Sequence, residues 1–151
     1  MINLTINGIP MSVEEGTTIL EAARTADIRI PTLCYLKDRN QIASCRMCVV
    51  EVAGRSNLVA SCNTPVEEGM EVTTDNDRIF RARKTALDLI MAKHGLETIA
   101  PCFSCNKNGA CELQDLCREF GLEKSSFYVK KDPEPVLDYN PFLSYNPNLC
   151  I

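Results

Sequence analysis

The nine cysteines of this 151-residue chain constrain its structure more than any other feature of the sequence. Four of them form a first cysteine group, separated by ten, two and thirteen residues: Cys34, Cys45, Cys48 and Cys62. The N-terminus alternates apolar and polar residues and predicts neither a signal peptide nor a membrane span. Cytosolic thiols are kept reduced, so a disulfide scaffold is the weaker interpretation. The cysteines are therefore expected to bind metal in a cytoplasmic protein.

Composition narrows the class of protein further. With 45% apolar residues the chain can bury a core, and its length suits one domain with an appendage. Its formal charge is −4, and no run of Lys or Arg could follow a phosphate backbone. Nucleic acid is therefore not expected as a partner.

The first half of the chain has the pattern of a small sheet. Apolar and polar residues alternate on both sides of Asn7-Gly8, a dipeptide that favours type I′ turns, which predicts a β-hairpin. Thr18 and Glu21 have the spacing of a capping box, which predicts a short helix after the hairpin. Three further strands are predicted at residues 49–52, 58–60 and 70–73. These elements make an α+β domain over residues 1–75.

The second half changes to helical spacing. A long helix is predicted over residues 76–93, which places His94 near its C-terminus ahead of Gly95. A second helix is predicted over 112–120, which gives a helical segment over residues 76–121. Prolines then interrupt the pattern, so residues 122–151 are predicted to form an extended tail.

Four thiolates in one small sheet domain require a metal ion or a cluster. Thiolate ligands suit both zinc and iron–sulfur clusters, so the ligand type leaves both open. A structural zinc site usually takes its ligands as two close pairs, whereas here only Cys45 and Cys48 are paired. The spacing therefore favours a [2Fe–2S] cluster.

The surroundings of these cysteines resemble a known family. The matching segments are Ile30-Pro31-Thr32-Leu33-Cys34-Tyr35, Ser44-Cys45-Arg46-Met47-Cys48-Val49-Val50-Glu51-Val52 and Ala60-Ser61-Cys62. They resemble the N-terminal region of the large iron–sulfur subunit of respiratory complex I. The same region opens many NAD-linked [FeFe]-hydrogenases, NAD-linked formate dehydrogenases and hydrogenase diaphorase subunits. The resemblance implies a β-grasp ferredoxin-like domain with a [2Fe–2S] cluster on the first cysteine group.

A second cysteine group, Cys102, Cys105 and Cys111, resembles the second motif of that family, in which three cysteines and an upstream histidine hold a [4Fe–4S] cluster. The resemblance implies His94, the single histidine of the chain, as the fourth ligand. The family places three residues between the histidine and the first cysteine, whereas this chain has seven. Closing the longer loop costs only about 0.8 kcal/mol, so ligation by His94 stays feasible.

Two alternatives concern the fourth ligand. His94 could instead complement the dipole at the end of its helix. Cys117 could replace it, but it shares a predicted helix face with Leu113, Leu116 and Phe120. We therefore predict Cys117 to be a buried core residue.

The end of the tail adds a further resemblance. Residues 145–151 resemble the entry to the two-cluster ferredoxin domain that follows in hydrogenases and formate dehydrogenases of this family, with Cys150 as its first ligand. The chain is accordingly expected to be a truncated fragment.

Electron transfer is the expected function. The sequence has no Gly-rich phosphate loop after a strand and no Ser-His-Asp set, so no substrate site of its own is expected. The expected partners are a flavin- and NAD(P)H-binding oxidoreductase subunit and a catalytic subunit or domain. A freestanding ferredoxin-like carrier is one alternative. A zinc-stabilised interaction module is another, suggested by the pairs Cys45/Cys48 and Cys102/Cys105.

Overall fold

The computed structural model describes residues 1–130, 132 and 134–147. The chain divides into two units, Met1–Arg83 and Lys84–Ile151. The first unit contains strands β1 (Ile2–Ile6), β2 (Ile9–Val13), β3 (Val49–Val52), β4 (Val59–Ala60) and β5 (Met70–Thr73), and helix α1 (Ile19–Thr25). Helix α2 (Asp77–Lys93) spans the limit between the units.

The five strands of the first unit form one mixed sheet in the order β2-β1-β5-β3-β4. β1 pairs antiparallel with β2 and parallel with β5, where Leu4 lies opposite Met70. β3 pairs antiparallel with both β5 and β4. The predicted α+β fold is confirmed.

The turn between β1 and β2 follows directly from its two residues. Asn7 and Gly8 have positive φ angles of 53° and 79°, as a type I′ turn requires. The Asn7 side chain also binds Thr74, which follows β5: its Nδ2 donates to Thr74 Oγ1 at 2.8 Å and its Oδ1 accepts from Thr74 N at 2.9 Å. The hairpin turn is thereby fixed to the end of β5.

Helix α1 packs an apolar face onto this sheet. Thr18 caps the helix by accepting a hydrogen bond from Glu21 N at 3.3 Å, as the sequence predicts. Ile19 and Leu20 are 0% exposed in the core. Leu20 N also donates to the carbonyl oxygen of Ser61 at 3.0 Å, which joins the helix to the segment after β4.

The second unit contains the remainder of α2, a 3-10 helix (Ala100–Ser104) and helix α3 (Glu112–Glu119). The 3-10 helix is an element that the sequence pattern did not predict. The buried carboxylate of Asp88 accepts hydrogen bonds from Ser125 Oγ at 2.6 Å and Ser126 N at 3.1 Å, so the segment after α3 is held against α2.

The described part of the predicted extended tail contains a two-stranded hairpin of β6 (Leu137–Asn140) and β7 (Leu143–Tyr145). Every residue of these two strands is exposed. Cys150 lies outside the described residues. Among the helices that the structure describes, none combines the length and apolar character needed to cross a membrane.

Candidate metal centres

Cys48 and Cys62 lie together at one end of the β3–β4 hairpin. Val49 pairs with Ala60, so Cys48 directly precedes the paired residues and Cys62 closely follows them. Ser61 fixes this end because its N–H and its hydroxyl both donate to the carbonyl oxygen of Cys48, at 3.1 and 2.8 Å. Each of the two cysteines is only 1% exposed.

Cys34 and Cys45 lie in the long loop between α1 and β3. The N–H of Cys45 donates to Cys34 Sγ at 3.4 Å, so these two positions of the loop lie side by side. Between Cys34 and Cys48, the loop has positive φ angles at three non-glycine residues: Asp38, Ala43 and Arg46. Backbone strain at non-glycine positions often marks a functional segment, and here it lies beside two proposed ligands.

The four thiols of the first cysteine group lie close enough to influence one another's ionisation. Burial, followed by the neighbouring Cys48, Cys34 and Cys45, raises the pKa of Cys62 to about 12. Burial also raises the pKa of Cys34. A metal centre binds thiolates, so its assembly here has to displace these protons.

In the second unit, His94 directly follows α2. Its N–H donates to Ile90 O at 2.8 Å, and Gly95 ends the helix at a φ of 76°. Gly95 suits this position because the left-handed conformation carries no penalty for glycine. The Nδ1 atom of His94 is buried. It therefore faces the protein interior, which is the position expected of a ligand atom.

The second cysteine group is presented by three consecutive pieces of structure. Cys102 belongs to the 3-10 helix, and Cys105 follows it with its N–H donating to Cys102 O at 3.2 Å. Lys107 N donates to Cys105 Sγ at 3.4 Å. Cys111 occupies the N-cap position of α3. The 3-10 helix, the loop after it and the N-terminus of α3 thus bring three thiols into one region.

One cavity, here termed the His94 cavity, collects the predicted ligands of the second site. It is lined by His94, Leu96, Cys102, Cys105, Lys107, Asn108, Cys111, Leu113, Gln114 and Cys117. The three thiols of the second cysteine group, the thiol of Cys117 and one imidazole therefore line the cavity, which fits the donor set of an iron–sulfur cluster. The sequence pattern gave no role to Gln114 or Asn108, although Asn108-Gly109 is a recognisable turn dipeptide.

Cys117 lies on the same cavity wall and is 2% exposed. Burial raises its pKa to about 11, with smaller contributions from Cys102, Cys111 and Asp88. Its burial agrees with the prediction that Cys117 is a core residue. Over residues 1–130, 132 and 134–147, no group of three or more His, Cys, Asp or Glu side chains is placed to hold a single metal ion.

The fold and the two groups of thiols define an iron–sulfur protein. Residues 1–77 match the family described as 2Fe-2S iron-sulfur cluster binding domain, and residues 83–126 match the NADH-ubiquinone oxidoreductase-G iron-sulfur binding region. The chain belongs to the 2Fe-2S iron-sulfur cluster binding domain family and continues into the complex I-type region. The resemblance found in the sequence and both predicted cofactors, [2Fe–2S] and [4Fe–4S], are thereby confirmed.

The chain is similar to several curated proteins. It is 48% identical over 132 residues to the NADP-reducing hydrogenase subunit HndD of Solidesulfovibrio fructosivorans, covering 84% of this chain and 22% of that protein. It is 36% identical over its whole length to the NADPH-Fe(3+) oxidoreductase subunit alpha of Geobacter sulfurreducens, covering 17% of that protein. It is 35% identical to the mitochondrial NADH-ubiquinone oxidoreductase 78 kDa subunit of Candida albicans, covering 99% of this chain and 21% of that protein. The chain thus spans about a fifth of the length of the curated relatives it matches.

The chain is also similar in structure to a solved hydrogenase. A chain in the crystal structure of an NAD+-reducing [NiFe]-hydrogenase in the H2-reduced state has a TM-score of 0.85 and 33% sequence identity. The match covers 99% of this chain and 62% of that chain. These iron–sulfur regions occur in subunits of hydrogenase and complex I-type oxidoreductases, and electron transfer is the function that they support.

Proposed function

We propose that this chain conducts electrons through two iron–sulfur clusters as part of an NAD(P)H-linked oxidoreductase complex. The observation that carries the proposal is the His94 cavity, where one imidazole and three thiols meet in a chain that already gathers four thiols in its first unit. The hydrogenase and NADH-ubiquinone oxidoreductase names of the relatives support the type of complex.

The first cysteine group is proposed to hold the [2Fe–2S] cluster. Its four thiols interact electrostatically, and two of them are almost fully buried. Such a cluster supplies one-electron transfer, while the protein positions it and sets its potential through burial and hydrogen bonds. Cys48 and Cys62 provide the buried side, and the loop from Cys34 to Cys45 provides the other side.

The second cysteine group and His94 are proposed to hold the [4Fe–4S] cluster. They share one cavity, and the longer spacing between His94 and Cys102 is accommodated by the 3-10 helix that leads into Cys102. The proposed division of the chain is a ferredoxin-like domain at residues 1–75, a cluster-binding segment at 76–121 and a tail at 122–151. No residue of the chain is proposed to act on a substrate.

The proposed partners are a flavin- and NAD(P)H-binding subunit and a catalytic subunit or domain, in the cytoplasm. A compartment that keeps thiols reduced suits the thiolate ligands of the two proposed clusters. Several relatives are named as subunits of oxidoreductases, which supports the proposal that this chain acts together with partner subunits.

Electron paramagnetic resonance of anaerobically purified, dithionite-reduced protein tests this function. We expect a signal that persists on warming, from the two-iron cluster, and one that broadens at lower temperature, from the four-iron cluster. Chemical analysis is expected to give about six iron atoms per chain with matching acid-labile sulfide. Zinc without labile sulfide would overturn the proposal and favour a zinc-stabilised interaction module.

A further inference from the structure

The wall of the His94 cavity contains a buried amide that the ligand assignment does not use. Gln114 lies on α3, three residues after Cys111, and its side chain is 3% exposed. A buried amide requires hydrogen-bond partners, because leaving its polar atoms without them is costly. Its amide has partners in the loop between Cys105 and Cys111, namely Asn108 and Gly109.

Both ends of the Gln114 amide bind this loop. Its Oε1 accepts a hydrogen bond from Gly109 N at 3.0 Å, and its Nε2 donates to Asn108 Oδ1 at 2.9 Å. Gly109 has a φ of 78°, a conformation that glycine adopts without strain. The amide therefore closes the loop onto the first turns of α3.

The connection extends beyond the loop through Asn108. Its Nδ2 donates to the carbonyl oxygen of Phe103 at 3.3 Å, and Phe103 lies in the 3-10 helix between Cys102 and Cys105. Asn108 N also donates to Cys105 O at 3.0 Å. One chain of contacts thus runs from Gln114 through Asn108 to Phe103, and it links the three structural pieces that carry the second cysteine group.

We propose that Gln114 is a positioning residue of the second iron–sulfur site, and that it fixes the three cysteine-bearing segments around the cluster through Asn108 and Gly109. This inference rests on the proposed assignment of the [4Fe–4S] cluster to the His94 cavity. Groups that hold metal ligands in place typically change metal affinity 10- to 100-fold when they are replaced. Hydrogen bonding and solvent exposure around the sulfurs also set the reduction potential.

Two variants of the full chain test the proposal. Gln114→Leu keeps the approximate size of the side chain and removes both polar ends of the amide. Asn108→Ala removes an exposed side chain and with it both the link to Phe103 and the acceptor of Gln114 Nε2, while Gln114 itself stays in place. Asp115→Ala is the control, since this neighbouring residue of α3 is exposed and forms only a surface ion pair with Arg118 at 3.6 Å.

The measurements are iron release from the second site to a chelator and the midpoint potential of the four-iron signal, with the two-iron signal as internal reference. We expect release about tenfold faster in both variants. We also expect a shifted potential of the four-iron signal only. Because both variants break one chain of contacts, the double variant should resemble Gln114→Leu alone rather than show the sum of the two effects.

The possible outcomes distinguish a positioning role of Gln114 from a purely structural one. Wild-type release rate and potential in Asn108→Ala and Gln114→Leu would overturn the positioning role and leave the proposed function intact. A lower unfolding temperature with an unchanged potential and release rate would also overturn it, because a purely structural residue gives that result. Wild-type protein without any four-iron signal would overturn both proposals together.

Discussion

The hydroxyl of Ser61 donates a hydrogen bond of 2.8 Å to the carbonyl oxygen of Cys48, and both residues are buried. This contact joins the strand ends that carry Cys48 and Cys62. It therefore stabilises the end of the hairpin and holds these two cysteines near each other. Ser61→Ala is expected to cost about 1 kcal/mol in the free energy of unfolding, measured by urea denaturation. The exposed Ser12→Ala is the matched control and should change stability by less than about 0.5 kcal/mol.

Cys48→Ala is expected to abolish the two-iron signal, because one iron of the cluster would keep only one of its two thiolate ligands. The four-iron signal should remain. Met47→Leu, a similarly buried neighbour of nearly equal volume, is the control and should keep both signals. Persistence of the two-iron signal in Cys48→Ala would refute the ligand assignment.

His94→Ala and Cys117→Ala together decide the fourth ligand of the second site. We expect His94→Ala to alter or remove the four-iron signal, whereas Cys117→Ala should leave it unchanged and lower only the stability, by about 1–3 kcal/mol. Electron paramagnetic resonance and iron analysis check both. Loss of the four-iron signal in Cys117→Ala alone would make Cys117 the ligand.

Chelator sensitivity is expected to differ between the two clusters. In the first site two thiols are 1% exposed and two are half-buried, whereas the second site has two half-buried thiols and the exposed Cys105. Solvent and chelator therefore reach the second site more readily. During anaerobic incubation with a strong iron chelator, the four-iron signal should decay first. Equal decay of both signals, compared with an untreated sample, would contradict this expectation.

Leu20→Ala is expected to lower the free energy of unfolding by about 2–5 kcal/mol, since this side chain is fully buried in the first unit. The control is Ile9→Ala, whose side chain is 50% exposed and should cost much less. Urea denaturation measures both. Equal costs would show that burial of α1 contributes little to the stability of the domain.

The elements with local signals were predictable from the sequence. Alternation and Asn7-Gly8 predicted the first hairpin, and the helical spacing after residue 76 predicted α2 up to its end before His94. The capping box was half correct. Thr18 accepts from Glu21 N, but the Glu21 carboxylate accepts from Tyr35 Oη at 2.6 Å and Arg24 Nη1 at 2.9 Å. The Glu21 carboxylate is therefore bound by Tyr35 and Arg24 instead of by the backbone N–H of Thr18.

Features that depend on distant residues were not predictable. No local pattern places Leu4 beside Met70, because parallel pairing is decided by tertiary packing. The network of Gln114 likewise depends on a loop that folds back onto α3. The hairpin of β6 and β7 was missed because the surrounding prolines dominated the sequence pattern.

The parallel pairing of β1 with β5 has a consequence for how the protein is made. β1 gains this neighbour only after Met70–Thr73 has been synthesised, and closing so long a loop is a slow step in folding. All four members of the first cysteine group lie inside that loop. The sheet that carries Cys48 and Cys62 is therefore complete only after β5 has been synthesised, so we expect the finished cluster site to form after translation of residues 1–73.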